Sequence, residues 1–288
     1  MRFHKYQALG NDYIVLDGVA AADLAAGMVE RICDRHLGIG SDGILLPVSP
    51  EGSAAFGLRI FNPDGSEAEK SGNGLRIFAR YLWDQGRVKE RPFEVMTMGG
   101  VVRCQILDAG RNVFVEIGKA SFNSEIIPVR GPAREVVDES IEVGGVTPRF
   151  TGVTVGNPHC VVVADEVSRE VALRLGPLLE RHDLFPNRTN VQFMRPMDRH
   201  RIRIEIWERG AGYTLASGSS SCAAAAAAVR LGLCDDPVTV VMPGGELRIG
   251  IGADYDVTML GAVAKVAEGL LSREMFEAGG CKLEDVEI

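Results

Sequence analysis

Residues 71–83 read SGNGLRIFARYLW, and residues 217–229 read SGSSSCAAAAAAV. Both open on Ser-Gly and run into a helix-forming segment. In the first, Leu75, Ile77, Phe78, Leu82 and Trp83 recur at helical spacing. In the second, the unbroken alanines 223–228 carry high helix propensity, and their small side chains let neighbouring backbone approach closely. The second stretch therefore reads as a buried helix over 219–233. The two stretches lie 146 residues apart, and the register extends outward. Gly10-Asn11 returns as Gly156-Asn157, His36 as His182, and Gly99-Gly100 as Gly244-Gly245. A spacing of 145 to 146 kept over so many positions indicates one folding unit present twice, with a period far too long for a solenoid.

The segments around each helix fit one order. Residues 56–62 (FGLRIFN) read as a strand entering a Pro-Asp-Gly turn, and Ile202, Ile204 and Ile206 alternate with polar residues as a second strand. Residues 97–103 and 242–248 each carry Gly-Gly between strand-like runs, a hairpin signal. Further helices are predicted at 20–36 and 167–182, each ending in a cationic residue that suits the helix dipole. Residues 119–146 read as the connection between halves, and the tail beyond Ala262, without a counterpart in the first half, is expected to cross back onto the first unit. The hairpins and the lack of regular βαβ spacing disfavour a doubly wound sheet. The expected fold is α+β: two pseudo-symmetric halves, each a curved, mostly antiparallel sheet or barrel around a central helix. The first domain comprises 1–118 plus 263–288, and the second 119–262.

Composition narrows the class. The chain has 288 residues, 46% hydrophobic and 24% charged, with net charge −8, matching an ordinary globular protein and arguing against a nucleic-acid partner. No apolar run reaches the 18 or so residues of a membrane helix, and residues 1–18 carry no secretory signal pattern, so a cytoplasmic protein with no membrane partner is expected. The six cysteines, at 33, 104, 160, 222, 234 and 281, show no CxxC pair and no metal-ligand spacing. They read as reduced thiols, mostly packed inside, and no metal site is expected.

The Ser-Gly pairs carry the chemistry. Amide groups at a helix entrance have no intrahelical acceptor, and with the helix dipole they attract an anion such as a carboxylate. Two such ends meeting could hold one carboxylate, with Ser71 and Ser217 beside the atom attached to it. Ser and Gly are also ordinary caps. The duplication, with Asn11, Asn62, Asn157, Asn190, Glu208 and Arg209 at nearby turns and strand ends, favours a site. Arg209 offers a planar fork for a carboxylate, and the asparagines can serve an ammonium–carboxylate pair.

At these residues the chain resembles diaminopimelate epimerase, a pyridoxal-independent amino-acid epimerase. The resemblance runs through Leu9-Gly10-Asn11-Asp12, Gly38-Ile39-Gly40, Asn62-Pro63-Asp64-Gly65, Gly72-Asn73-Gly74, Gly156-Asn157-Pro158-His159, Thr189-Asn190-Val191, Glu208-Arg209-Gly210 and Thr214-Leu215-Ala216, nearly the whole chain. It implies two pseudo-symmetric halves around a closing cleft, no cofactor, a small-molecule amino-acid substrate and a homodimer. It also implies substrate binding by Asn11, Asn62, Gly72, Asn73, Asn157, Asn190, Glu208, Arg209, Gly218 and Ser219.

The chain departs from the family at the reacting end. Where the family has a cysteine before Gly72 and another before Gly218, one removing the α-proton and the other delivering one to the opposite face, this chain has Ser71 and Ser217. Tyr213 stands where the family has Glu, and Gly43 where it has Gln. A serine hydroxyl is a far weaker acid than a thiol and needs a neighbouring base. Candidates are His159, Lys70 and Tyr213. His159 ranks first because imidazole ordinarily titrates near neutrality. The expected function is a cofactor-independent epimerase or racemase acting at the α-carbon of diaminopimelate or a related amino acid, with catalytic residues Ser71, Ser217 and His159. The alternatives are a lyase or double-bond isomerase of the same superfamily and a non-catalytic amino-acid-binding homologue.

Overall fold

The computed structural model describes residues 1–50 and 52–277. Two compact units emerge: Met1–Val115 with the segment from Gly261 onward, and Glu116–Leu260.

Both units follow one strand plan. In the first, Arg2–Ala8 pairs antiparallel with Asn11–Asp17, which runs parallel to Ile44–Val48, which pairs antiparallel with Phe56–Phe61. Phe56–Phe61 takes Glu67–Ala68 antiparallel on one stretch and Phe93–Thr97 parallel on another, and Phe93–Thr97 turns back into Gly100–Leu107. The second unit repeats this with Arg149–Thr154, Pro158–Val163, Asn190–Asp198, Arg201–Glu208, Gly212–Thr214, Val238–Met242 and Gly245–Ile251, parallel at the same two places. The parallel pairs occur where a helix intervenes between strands, and the other pairs named above are antiparallel. The two Gly-Gly hairpins have two-residue turns. Gly100 and Gly245, which open the return strands, sit at φ +100° and +139°, a region that side chains rarely adopt.

Among the described residues, four helices have eight or more residues: α1 (Ala26–Cys33), α2 (Gly72–Asp84), α3 (Arg169–Glu180) and α4 (Gly218–Arg230). In the first unit α2 packs against Arg2–Ala8, Asn11–Asp17 and Gly100–Leu107. In the second, α4 packs against six of the strands, and its residues 220–228 are fully enclosed. The opposite sheet face is covered by α1 in the first unit, through Met28, Val29 and Ile32 against Ile14, Leu16 and Ile44. In the second it is covered by α3, through Ala172, Leu175 and Leu179 against Cys160, Val162 and Phe193. Strand alternation decides which residues meet the central helix: Tyr13 and Leu45 in one unit, His159 and Gln192 in the other.

Two boundaries depart from the sequence reading. The helix expected over 20–36 is a 3-10 turn at Ala21–Asp23 followed by α1, and it stops at Cys33. Asp34 ends it: the carboxylate accepts from the backbone N–H of His36 and of Leu37, each at 2.7 Å, offering the chain an alternative to helical bonds. The helix expected over 219–233 ends at Arg230, and Gly232 follows at φ +68°. The tail crosses back: Ala264–Leu270 pairs antiparallel with Arg2–Ala8, Arg2 opposite Leu270. The buried guanidinium of Arg76 donates to the Ala262 carbonyl at 3.3 Å, and Arg80 to that of Val263 at 3.1 Å. Cys33, Cys104, Cys160, Cys222 and Cys234 are buried, while Cys281 and the rest of 278–288 lie outside the described residues. No helix among the described residues is long and apolar enough to cross a membrane.

Candidate functional site

Ser71 is the N-cap of α2, and its Oγ accepts from the Gly74 N–H at 3.0 Å. That bond satisfies one of the helix's orphan donors and leaves the Gly72 and Asn73 amides without an intrahelical acceptor. Asn73 Nδ2 donates to Asn11 Oδ1 at 2.9 Å, and Asn11 Nδ2 donates to Asp42 Oδ2 at 2.8 Å. Arg76, one turn on, donates to Asn73 Oδ1. Asp12 and Asp42 are bridged by Arg35 at 2.8 and 2.7 Å, and Lys5 reaches Asp12 at 2.9 Å. Burial pushes the Asp12 carboxyl up, but hydrogen bonds from Arg35 and Lys5 outweigh it and hold the group below the usual carboxylate range. A cationic clamp thus fixes the loop that aims Asn11 at the helix entrance. Asn62 donates to Ser66 Oγ at 2.9 Å within its own turn and does not join the Asn11–Asn73 chain.

The second unit builds the same arrangement. Ser217 caps α4, its Oγ accepting from the Ser220 N–H at 3.5 Å. Asn157 Nδ2 donates to Ser219 Oγ at 3.4 Å, the counterpart of Asn73 to Asn11. Asn190 Nδ2 donates to the Pro158 carbonyl at 2.9 Å, and its Oδ1 accepts from the Arg209 N–H at 3.0 Å. The Arg209 guanidinium donates to the Asn187 carbonyl at 3.1 Å. Glu208, Arg209 and Gly210 form a turn held from beneath by the buried Glu180, whose carboxylate accepts from Trp207 Nε1 at 2.8 Å and the Gly210 N–H at 3.2 Å. Trp207 lies against Gly176 of α3, where an added Cβ would come within 2.6 Å of the Trp207 Cβ.

His159 is fully buried and has both ring nitrogens engaged. Nε2 lies 2.9 Å from Asn157 Oδ1, and Nδ1 lies 3.1 Å from Gln192 Nε2, which also donates to Ser220 Oγ at 2.9 Å. Asn157 Oδ1 can only accept, so Nε2 carries the proton and Nδ1 accepts from Gln192. This arrangement leaves the buried Gln192 Oε1 without a partner among the described residues, and turning the Gln192 amide alone would demand a second ring proton. Burial opposes that, pushing the imidazole down to about 3, with the Gln192 bond acting the other way. His159 is therefore not placed as the base expected for the serines: it is a neutral strut between Asn157 and Gln192. Tyr213, another of the three candidate bases, faces the α3 side. Its hydroxyl donates to the buried Glu205 carboxylate at 2.7 Å, and Arg169 lies 5.2 Å from its ring centre. Burial first, and then the bond to Glu205, push the phenol up to about 12.

Three features escaped the sequence reading. Tyr13 lies 146 residues before His159, so it is its counterpart in the repeat, and its hydroxyl lies 3.3 Å from Ser71 Oγ. Gly43 leaves room for it: a Cβ there would lie 2.7 Å from Tyr13 Cε1 and 2.5 Å from the Phe61 carbonyl oxygen. Gln192 and Ser220 form a polar pair where the first unit has Leu45 against Gly74. The repeat period was the signal that could have found Tyr13.

Comparison with known proteins identifies the family. The family described as diaminopimelate epimerase matches residues 3–123 and 151–266. "Diaminopimelate epimerase 2" of Nostoc sp. is 56% identical over 277 residues, spanning 96% of this chain and 97% of that one. The diaminopimelate epimerase of Moorella thermoacetica is 41% identical, spanning 93% and 98%. Among solved structures, a hydroxyproline epimerase from Agrobacterium vitis with bound trans-4-hydroxy-L-proline shares the fold at TM-score 0.67 and 17% identity, covering 93% of this chain and 91% of its own. A methylitaconate-delta-isomerase does so at TM-score 0.63 and 14% identity, covering 93% and 95%.

Proposed function

This chain belongs to the diaminopimelate epimerase family, and from that premise we propose that it is a cofactor-independent isomerase acting at the α-carbon of diaminopimelate or a related amino acid. Ser71 and Ser217 take the two proton-handling roles that the family gives to thiols. Asn11, Asn62, Gly72, Asn73, Asn157, Asn190, Glu208, Arg209, Gly218 and Ser219 bind the amino acid. His159 is a positioning residue that holds Asn157 rather than a base. The observation that carries this reading is the bonded asparagine at each serine-capped helix entrance, Asn73 on Asn11 in one unit and Asn157 on Ser219 in the other. Helix amides suit the α-carboxylate, and the asparagine oxygens suit the ammonium.

The test is incubation with single stereoisomers of diaminopimelate in deuterated water, followed by chiral analysis and mass measurement. Inversion with α-deuterium uptake, abolished in the Ser71→Ala/Ser217→Ala variant, is the expected result. Failure of every stereoisomer to invert or exchange would overturn it. One observation favours a second reading, a lyase or double-bond isomerase: among the described residues Ser217 Oγ accepts from the Ser220 N–H, with no basic side chain bonded to it. A mass loss or a new conjugated absorbance identifies that reaction. The family resemblance supports a cytoplasmic homodimer, which sedimentation of the purified chain tests.

A further inference from the structure

The two serines are not equivalent. Ser71 Oγ accepts from Gly74 N–H and lies 3.3 Å from the Tyr13 hydroxyl. Ser217 Oγ accepts from Ser220 N–H alone among the described residues, and the repeat counterpart of Tyr13, His159, is committed to two amides. Among the described residues, only at Ser71 does a titratable side chain bond the hydroxyl. Tyr13 is held there by its strand, Tyr6 opposite it on Arg2–Ala8, and by the absence of a side chain at Gly43. The residue as a whole is 8% exposed. A phenol ordinarily titrates near 10, far below an aliphatic hydroxyl, so it is the better seat for a negative charge beside the serine.

We propose that Tyr13 is the positioning residue that makes Ser71 able to move a proton, relaying the serine's own proton through its phenol. The role rests on the amino-acid reading above. With Tyr13 ionised, Ser71 Oγ takes the proton from the substrate α-carbon as its own proton passes to Tyr13 Oη. The C–H electron pair stays on the α-carbon, the negative charge moves from phenolate to carbanion, and the reverse transfers restore both groups. Proton exchange therefore belongs to the Ser71 side, and the Ser217 side is the slower partner.

The experiment is α-proton exchange of diaminopimelate in deuterated water by full-length protein, comparing Tyr13→Phe in the native background and in a Ser71→Cys background. A thiol ordinarily titrates near 8.5 and ionises without a relay. The expected result is a loss of at least tenfold in exchange rate for Tyr13→Phe beside Ser71, with KM within twofold, and a change below twofold beside Cys at 71. Equal losses in both backgrounds would mean that the ring only packs, and no loss beside Ser71 would mean that the hydroxyl is idle. Either overturns the relay and leaves the amino-acid reading standing. Wild-type protein that exchanges no α-proton withdraws the reading and the relay together.

Discussion

Replacing His159 by Gln should change how the fold responds to acid. The imidazole is wholly enclosed, and burial depresses it to about 3 from an ordinary 6.5. Above pH 6.5 it is neutral in both the folded and the unfolded chain and contributes nothing to the pH dependence. As pH falls below 6.5 the unfolded chain takes up a proton that the folded one refuses, so stability is lost progressively until about pH 3. The slope is one proton, about 1.4 kcal/mol per pH unit, and the full loss is on the order of 5 kcal/mol. That is comparable to the whole stability of many domains. Urea unfolding at pH 7.5, 6.5, 5.5 and 4.5, with wild type and His159→Gln side by side, isolates this group. Gln costs a fixed amount at every pH through imperfect bonds to Asn157 and Gln192. Relative to that offset, wild type should lose about 2–3 kcal/mol between pH 6.5 and 4.5. Nitrogen chemical shifts should show the Nε2–H tautomer throughout pH 5–8. A stability difference flat across the series, or an imidazole titrating above pH 5, would refute the view of His159 as a neutral strut.

Tyr213→Phe removes the donor to a buried Glu205 oxygen and should cost about 1–3 kcal/mol of stability with α-proton exchange unchanged. A tenfold loss of exchange would return Tyr213 to the chemistry. Glu180→Gln keeps one acceptor for Trp207 and Gly210 but not the charge, so it should cost about 1–2 kcal/mol and weaken amino-acid binding in calorimetry by loosening the 208–210 turn. Unchanged affinity would separate that turn from the ligand. Ser71→Cys/Ser217→Cys places an ionisable thiol at each helix entrance and should raise exchange at pH 8 by about 100-fold or more. A slower variant would mean that the site is shaped around oxygen.

The helices and their serine caps were legible because local signals agree: Ser-Gly, then helical periodicity or an alanine run. The hairpins were legible because two-residue turns need Gly at one fixed place. What stayed hidden depends on pairing between distant strands. His159 looked like a base until the parallel register that sets it opposite Asn190 brought Gln192 to its ring. Tyr213 sits four residues before Ser217, yet its pairing with Trp207 turns it toward α3. The hydroxyl of Tyr13 meets Ser71 only because residue 43 has no side chain, a fact of tertiary space. Asn62 is grouped with the other asparagines by its place at a strand end and by the family resemblance, yet its bond is to its own turn.

The return of Ala264–Leu270 to pair with Arg2–Ala8 sets an order of assembly during synthesis. Residues 116–260 form a contiguous stretch that can close as soon as it leaves the ribosome. The earlier-made unit must wait, with one edge of its first strand open, until residues 264–270 emerge. The N-terminal unit is thus the later of the two to have its full set of strands. A stop just after residue 260 would keep the whole stretch of the later-made unit and leave the first strand of the earlier-made one with an uncovered edge exposed to aggregation.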